Sequence, residues 1–444
     1  MGELVTLKKK NMKKSALQVA RAAYQPKLPK ALQGPVKAVE GKPTQSVGNQ
    51  EEIKALFPNT YGMPVVEFQP AESENTKPIN VGIILSGGQA PGGHNVVCGL
   101  YDGVKSLNKE SKLYGFLMGP GGLVDHKYLE FTDEYIDEYR NTGGFDIIGS
   151  GRTKLEKVEQ FESGLQIIRK LGINAIVIIG GDDSNTNACV LAEYYAAQKY
   201  GVQVIGCPKT IDGDLKNEQI ETSFGFDTAC KTYSELIGNI QRDCNSARKY
   251  WHFIKVMGRS ASHIALECAL QCQPNICLIS EEVEAKQMSL DDVVEYIAKA
   301  VAKRAEDGNN FGTVVIPEGL IEFIPAIKKL IAQLNEVLTD PATGEPRAFS
   351  SADEQIKFVT ESIDKDNLAV LESLPADVKR QLCLDRDPHG NVQVSLIETE
   401  KLLSAMVAKK LAEWKKEGKY VGKFGTQHHF FGYEGRCAAP SNFD

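Results

Sequence analysis

The sequence predicts an α/β protein: doubly wound, mostly parallel sheets in two Rossmann-like domains, plus a helical insertion. Three observations predict it. Short apolar runs rich in Val and Ile recur at Val81–Leu85, Tyr114–Leu117, Phe145–Ile148, Ala175–Ile179, Val202–Gly206, His252–Val256, Ile276–Ile279 and Thr313–Ile316. Continuous rather than alternating apolarity marks strands buried on both faces, as in parallel sheets. Helical patterns lie between the runs, for example at 186–200, 227–245 and 289–306. The loops richest in glycine and charge follow directly after the runs, where open α/β sheets bind their ligands.

In chain order, residues 1–64 read as a basic arm and linker, with residues 1–50 lacking apolar periodicity. Residues 1–42 carry ten Lys/Arg against two acids, while the whole chain has 51 basic and 58 acidic side chains, a net charge of -7. The body is therefore acidic, and acidic bodies are poor general binders of nucleic acid. Met1-Gly2-Glu3-Leu4-Val5-Thr6 fits the loose myristoylation pattern, with Lys8–Lys10 and Lys13–Lys14 as a second membrane signal. A solvated arm explains the same residues, and no membrane association is expected. No apolar run approaches the roughly 18 residues of a membrane span. Ten cysteines without a CxxC pair read as free thiols in a reducing cytoplasm.

The first run opens into Ser86-Gly87-Gly88-Gln89-Ala90-Pro91-Gly92-Gly93-His94-Asn95. Such a loop lets backbone N–H groups approach an anion at the following helix N-terminus, although a tight turn would use the same glycines. Neither GxGxxG nor GxxxxGK[ST] occurs, which argues against a dinucleotide fold or a P-loop. After the third run comes Gly149-Ser150-Gly151-Arg152, whose arginine suits an oxyanion or is a surface charge. After the fourth comes Gly180-Gly181-Asp182-Asp183-Ser184-Asn185. One carboxylate is explained as a helix N-cap, but two adjacent ones call for a hard cation or a lysine. After the fifth comes Pro208-Lys209-Thr210-Ile211-Asp212-Gly213-Asp214. Phosphoryl transfer needs neutralisation, alignment and a base for the attacking hydroxyl, and Lys209, Thr210 and Asp212 offer all three.

The first α/β domain is placed at 65–214 and the second at 215–444. The second carries Lys249-Tyr250, Met257-Gly258-Arg259, Pro317-Glu318-Gly319 and Tyr433-Glu434-Gly435-Arg436 as candidates for a phosphorylated, polyhydroxylated substrate. Within it, residues 320–425 are charged and mostly helical in pattern, interrupted at Asp340–Gly344 and Asp387–Gly390, and read as an insertion.

In order and spelling these loops, with Ser223-Phe224-Gly225-Phe226-Asp227-Thr228-Ala229, resemble the phosphofructokinase family from about Asn80 to the end of the chain. More narrowly, they resemble its long plant and protist type that uses pyrophosphate. The resemblance implies reversible phosphoryl transfer from pyrophosphate to the 1-hydroxyl of fructose 6-phosphate, with Mg2+. It implies Asp182 as metal ligand, Asp212 as proton acceptor, and Gly87, Gly88 and Arg152 as pyrophosphate contacts. It also implies that Asp183 stands where ATP-using relatives carry glycine and would place an α-phosphate, and that Lys209, glycine in those relatives, meets pyrophosphate. Thr210, Ile211, Asp212, Met257, Gly258, Arg259, Glu318, Tyr433, Glu434, Gly435 and Arg436 match sugar-phosphate positions. Lys249 and Tyr250 match positions that reach into a neighbouring subunit's site, so a homo- or hetero-oligomer is expected. Family members of this type continue well past the Tyr-Glu-Gly-Arg motif, so this chain reads as cut short. The alternatives are an ATP-dependent enzyme, against which Asp183 and Lys209 argue, and a silent regulatory subunit, against which Asp182, Lys209 and Asp212 argue.

Overall fold

The computed structural model describes residues 14–72, 77–343, 346–386 and 391–444. The myristoylation pattern, Lys8–Lys10, Lys13, Gly344 and Asp387–Gly390 lie outside the described residues. The chain divides into two compact units. The first comprises Met1–Thr210, Asn217–Thr228 and Arg436–Asp444, and the second Ile211–Lys216 and Ala229–Gly435.

In the first unit, β1 (Val36–Pro43) and β2 (Pro64–Pro70) form an antiparallel ribbon. A five-stranded sheet follows, built from β3 (Asn80–Leu85), β4 (Lys112–Phe116), β5 (Tyr128–Glu130), β6 (Ala175–Gly180) and β7 (Gln203–Pro208) in the order β5-β4-β3-β6-β7. Only the β4–β5 pair is antiparallel. Side chains alternate between two cores: Ile83, Leu85, Val177 and Ile179 enter one, and Ile84, Ile176 and Ile178 the other. Both faces are thus apolar, which is why these strands read as continuous runs.

The second unit holds β8 (Trp251–Val256), β9 (Ile276–Cys277), β10 (Gly312–Pro317) and β11 (Thr426–Phe431), all parallel, in the order β11-β8-β10-β9. The insertion supplies helices Pro325–Val337, Ala352–Ser362, Lys365–Ser373, Ala376–Leu384 and Thr399–Lys416. Its Val359, Leu371, Leu382, Val407 and Leu411 are buried in one core with Trp251, Phe253 and Val314. The insertion is part of this unit's core.

Three sequence expectations are corrected. Phe145–Ile148 is a turn rather than a strand. Its residues are apolar because Phe145, Ile147 and Ile148 fill the first core. The segment is closed by Gly144 and Gly149, both at positive φ, and by Gly149 N–H donating to the Phe145 carbonyl at 2.8 Å. Ile276–Ile279 is strand only over Ile276–Cys277. Residues 14–64 are largely exposed, as an arm is, but they carry regular structure that the sequence does not announce. Ser15 caps the helix Ala16–Ala23 in a capping box with Gln18, and the Asn141 amide donates to the Arg21 and Tyr24 carbonyls at 2.6 and 3.0 Å. Asn59 N–H and Thr60 Oγ1 donate to the Glu193 carboxylate at 3.1 and 2.8 Å. The sequence hides this order because the segment is tied down by polar contacts and leaves Leu17, Val36 and Val47 exposed. All ten cysteines are free thiols.

Candidate active site

The first unit gathers the glycine loop, Arg152, the two aspartates, Lys209 and Thr210. Ser86 N–H continues the β3 ladder to the Ile179 carbonyl at 2.8 Å, and Gly87 N–H donates to Gly151 at 3.0 Å. These bonds bring the loops after β3 and β6 and the Gly149–Arg152 loop together at the carboxyl edge of the sheet. Gly87 sits at φ +78, which only glycine adopts without strain. Arg152 is exposed.

Asp182 and Asp183 are not N-caps. The helix Asp182–Ala197 begins at Asp182 after Gly181, which makes no side-chain cap, so both carboxylates ride in the first turn and are exposed. The helix dipole favours negative charge there. Lys209 N–H donates to the Gly180 carbonyl at 2.9 Å, continuing the β6–β7 ladder, and its side chain is buried at 7% exposure. A buried ammonium requires polar company, and its loop neighbours the one that carries both aspartates. Thr210 N–H donates to Ser223 Oγ at 2.8 Å. Arg436, grouped in the sequence with the sugar-phosphate residues, lies in the first unit. Its Nη1 is 3.4 Å from where a Cβ on Gly88 would stand, so the guanidinium lies against the glycine loop.

His94 escaped functional notice in the sequence although it follows the glycine loop. It is fully buried, with Nδ1 2.8 Å from Thr142 Oγ1, Ile147 N–H donating to Nε2 at 3.3 Å, and Asp146 at 3.4 Å. Thr142 Oγ1 donates onward to the Tyr139 carbonyl, so the network assigns the neutral tautomer with its proton on Nδ1. Burial pushes the imidazole down to about 4, outweighing Asp146, whose side chain is 76% exposed and hence screened. The folded value lies below the unfolded 6.5, so this contribution is complete above pH 6.5 and is lost as pH falls toward about 4. Denaturant titrations should show a fall of up to roughly 3 kcal/mol across that window, and His94→Gln should flatten it. An unchanged pH slope in His94→Gln would contradict the assignment.

In the second unit, the loops after β8 and β10 are knitted together. Glu318, 6% exposed, accepts from Gly258 N–H at 3.3 Å, and Gly319 N–H donates to the Gly258 carbonyl at 3.2 Å. A Cβ on Gly319 would lie 1.9 Å from the Arg259 carbonyl oxygen, so only glycine fits. Arg259 pairs with Glu322 at 3.2 Å, and its N–H approaches the Asp212 carboxylate at 3.4 Å. Ile211 is buried and Asp212 half-buried in this unit. Met257 is buried, and its N–H donates to the Phe431 carbonyl at 3.3 Å, joining the ends of β8 and β11. The Tyr433-Glu434-Gly435 turn packs on Tyr233, which donates to the Gly432 carbonyl at 2.5 Å, while Glu434 accepts from Gly432 N–H at 2.8 Å. Tyr433 is 66% exposed. Lys249 and Tyr250 stand apart from these loops. They precede β8, whereas Met257–Arg259 follow it, and a six-residue strand spans about 20 Å.

No helix among the described residues is long and apolar enough to cross a membrane.

The phosphofructokinase family model matches residues 80–365. The chain is 67% identical over 434 residues to a pyrophosphate–fructose 6-phosphate 1-phosphotransferase of Porphyromonas gingivalis, covering 98% of this chain and 79% of that one. It is 50% identical to the beta subunit of the enzyme of that name from Solanum tuberosum, covering 97% and 74%. Among solved structures, a pyrophosphate-dependent phosphofructokinase from Nitrosospira multiformis shares the fold with a TM-score of 0.53 at 17% identity, covering 81% and 70%. With a family model matching residues 80–365 and such relatives aligned over nearly all of this chain, the chain belongs to the phosphofructokinase family.

Proposed function

We infer that this chain transfers a phosphoryl group from pyrophosphate to the 1-hydroxyl of fructose 6-phosphate, reversibly, in the cytoplasm. The observation that carries the reading is the 67% identity to an enzyme of that name over 98% of the chain, with Asp183 and Lys209 both present.

Roles are proposed as follows. Gly87 and Gly88 offer backbone N–H groups to pyrophosphate, and Arg152 adds a guanidinium. Arg436, poised over Gly88, is well placed to neutralise the group in transit. Glu318, Met257–Arg259 and Tyr433–Gly435 hold the sugar phosphate, with Arg259 exchanging Glu322 for the phosphate. Asp212 takes the proton from the 1-hydroxyl as its oxygen attacks the terminal phosphorus. The bond to the bridging oxygen then breaks and phosphate leaves. Lys209 balances the charge, which is the main demand of such a transition state.

Exposed oxygen donors in a helix's first turn fit a hard cation. The described residues contain no group of three or more His, Cys, Asp or Glu placed to hold a metal. Mg2+ is commonly held by one or two carboxylates and the substrate's own phosphates, a donor set that the aspartate pair could supply with pyrophosphate. Asp182 would hold it, with Asp183 beside it, and it would screen phosphate charge during transfer.

The separation of Lys249 and Tyr250 from their own chain's sugar loop supports sites shared between subunits. The plant relative named as a beta subunit fits an oligomer of like or related chains. Mixing tests this reading. Asp212→Ala and Lys249→Ala chains, each inactive alone, should regain activity toward fructose 6-phosphate and pyrophosphate when refolded together. Failure to regain it, with mixed oligomers formed, would contradict the shared site.

A further inference from the structure

Three of the loops proposed to hold the donor are joined by hydroxyl groups to which no role has been given. Ser184 lies in the first turn of the helix Asp182–Ala197, directly after the two aspartates, and is 8% exposed. Its hydroxyl donates to Ser86 Oγ at 2.8 Å, and Ser86, 5% exposed, reaches the Gly151 carbonyl at 3.4 Å. From the other side Ser150 Oγ donates to the Gly87 carbonyl at 2.9 Å. The fit around Ser184 is close. A Cβ on Gly180 would stand 2.4 Å from both Cβ and Oγ of Ser184, and one on Gly87 would meet Ser184 Oγ at 3.7 Å.

The chemistry of these contacts is specific. Ser184 is largely shielded from water, and Ser86 can accept from Ser184 while offering its own proton to the Gly151 carbonyl. The linkage thus runs from the aspartate helix through the glycine loop to the arginine loop. A rotation of the helix's first turn would move Asp182 and Asp183 and break the Ser184–Ser86 bond together.

We propose that Ser184 is a positioning residue for the donor site. Through Ser86, its hydroxyl fixes the two carboxylates relative to the Gly87–Gly88 loop and Arg152, and so sets the gap in which pyrophosphate and its cation are held. The inference rests on the donor-site reading above. A filler serine in a packed core would contribute stability alone. A positioning serine acts on one substrate and not the other.

The test uses the full chain and four variants: Ser184→Ala, Ser86→Ala, the double variant, and Asp182→Asn as the report on the site itself. Steady-state constants for pyrophosphate and fructose 6-phosphate, the Mg2+ dependence and the thermal midpoint are measured for each. Ser184→Ala should lower kcat/KM for pyrophosphate on the order of ten- to a hundredfold, the scale of a slightly misplaced reacting group. It should raise the Mg2+ requirement and leave the KM for fructose 6-phosphate unchanged. Ser86→Ala removes the same bond from its other end, should behave alike, and serves if Ser184→Ala fails to fold. The double variant should be no worse than either single one, because both break one linkage. Equal losses toward both substrates, or a lower thermal midpoint with pyrophosphate kinetics intact, would overturn the proposal. If Asp182→Asn leaves the Mg2+ dependence untouched, the donor-site reading itself fails. If Asp182→Asn shifts it and neither serine variant does, only the positioning role fails.

Discussion

Replacing Asp212 with alanine is expected to cut kcat on the order of 10²–10⁴, the contribution of a positioned acid or base. The geometry leads to this expectation. Asp212 is three residues beyond Lys209 and half-buried, and its carboxylate accepts from the Arg259 N–H at 3.4 Å. A carboxylate at this position beside the sugar-phosphate loop is suited to accept a proton. The bonds from Gly258 N–H to the Glu318 carboxylate and from Gly319 N–H to the Gly258 carbonyl do not depend on Asp212, so the sugar loop should survive its loss. KM for fructose 6-phosphate should therefore change little. A variant with weakened affinity and intact turnover would assign Asp212 to binding instead.

The second large effect concerns the choice of donor. Asp183 is expected to exclude ATP, because its carboxylate would face the α-phosphate of the longer donor. At about 4 Å and an effective dielectric near 20, the repulsion is about 4 kcal/mol, nearly a thousandfold in binding. The exposure of Asp183 at the helix start admits water and salt, so the measured block should be smaller, roughly ten- to a thousandfold. Asp183→Gly should relax it by that factor, seen as ATP competing with pyrophosphate at correspondingly lower concentration. If ATP competes no better in Asp183→Gly than in the parent chain, repulsion does not set the choice.

The parts of this account that were legible in the sequence share a physical cause. Ile83 to Leu85 and Ile176 to Ile179 are buried on both faces of one sheet, so their continuous apolarity pointed directly to parallel strands. The chemistry-bearing loops then followed at the strand ends, where the topology of such sheets places ligands. What stayed hidden depends on contacts rather than on pattern. Phe145–Ile148 has the composition of a strand and the burial of one, but flanking glycines at positive φ turn it back. The ribbon β1–β2 is exposed on most positions, so nothing periodic announces it. β11, with the sequence Thr-Gln-His-His-Phe-Phe, is a half-exposed edge strand with too little apolar signal to separate from the helix before it. The position of Arg436 above Gly88 and the Ser184–Ser86 bond join residues hundreds or scores of positions apart. No local spelling encodes either.

The central claim is that pyrophosphate, and not ATP, is the donor. The direct measurement is formation of fructose 1,6-bisphosphate from fructose 6-phosphate and Mg2+ by the purified chain, with each donor in turn. Product with pyrophosphate, formation of pyrophosphate from phosphate and fructose 1,6-bisphosphate in reverse, and no product with ATP are the predicted results. Turnover with ATP comparable to that with pyrophosphate would contradict the account.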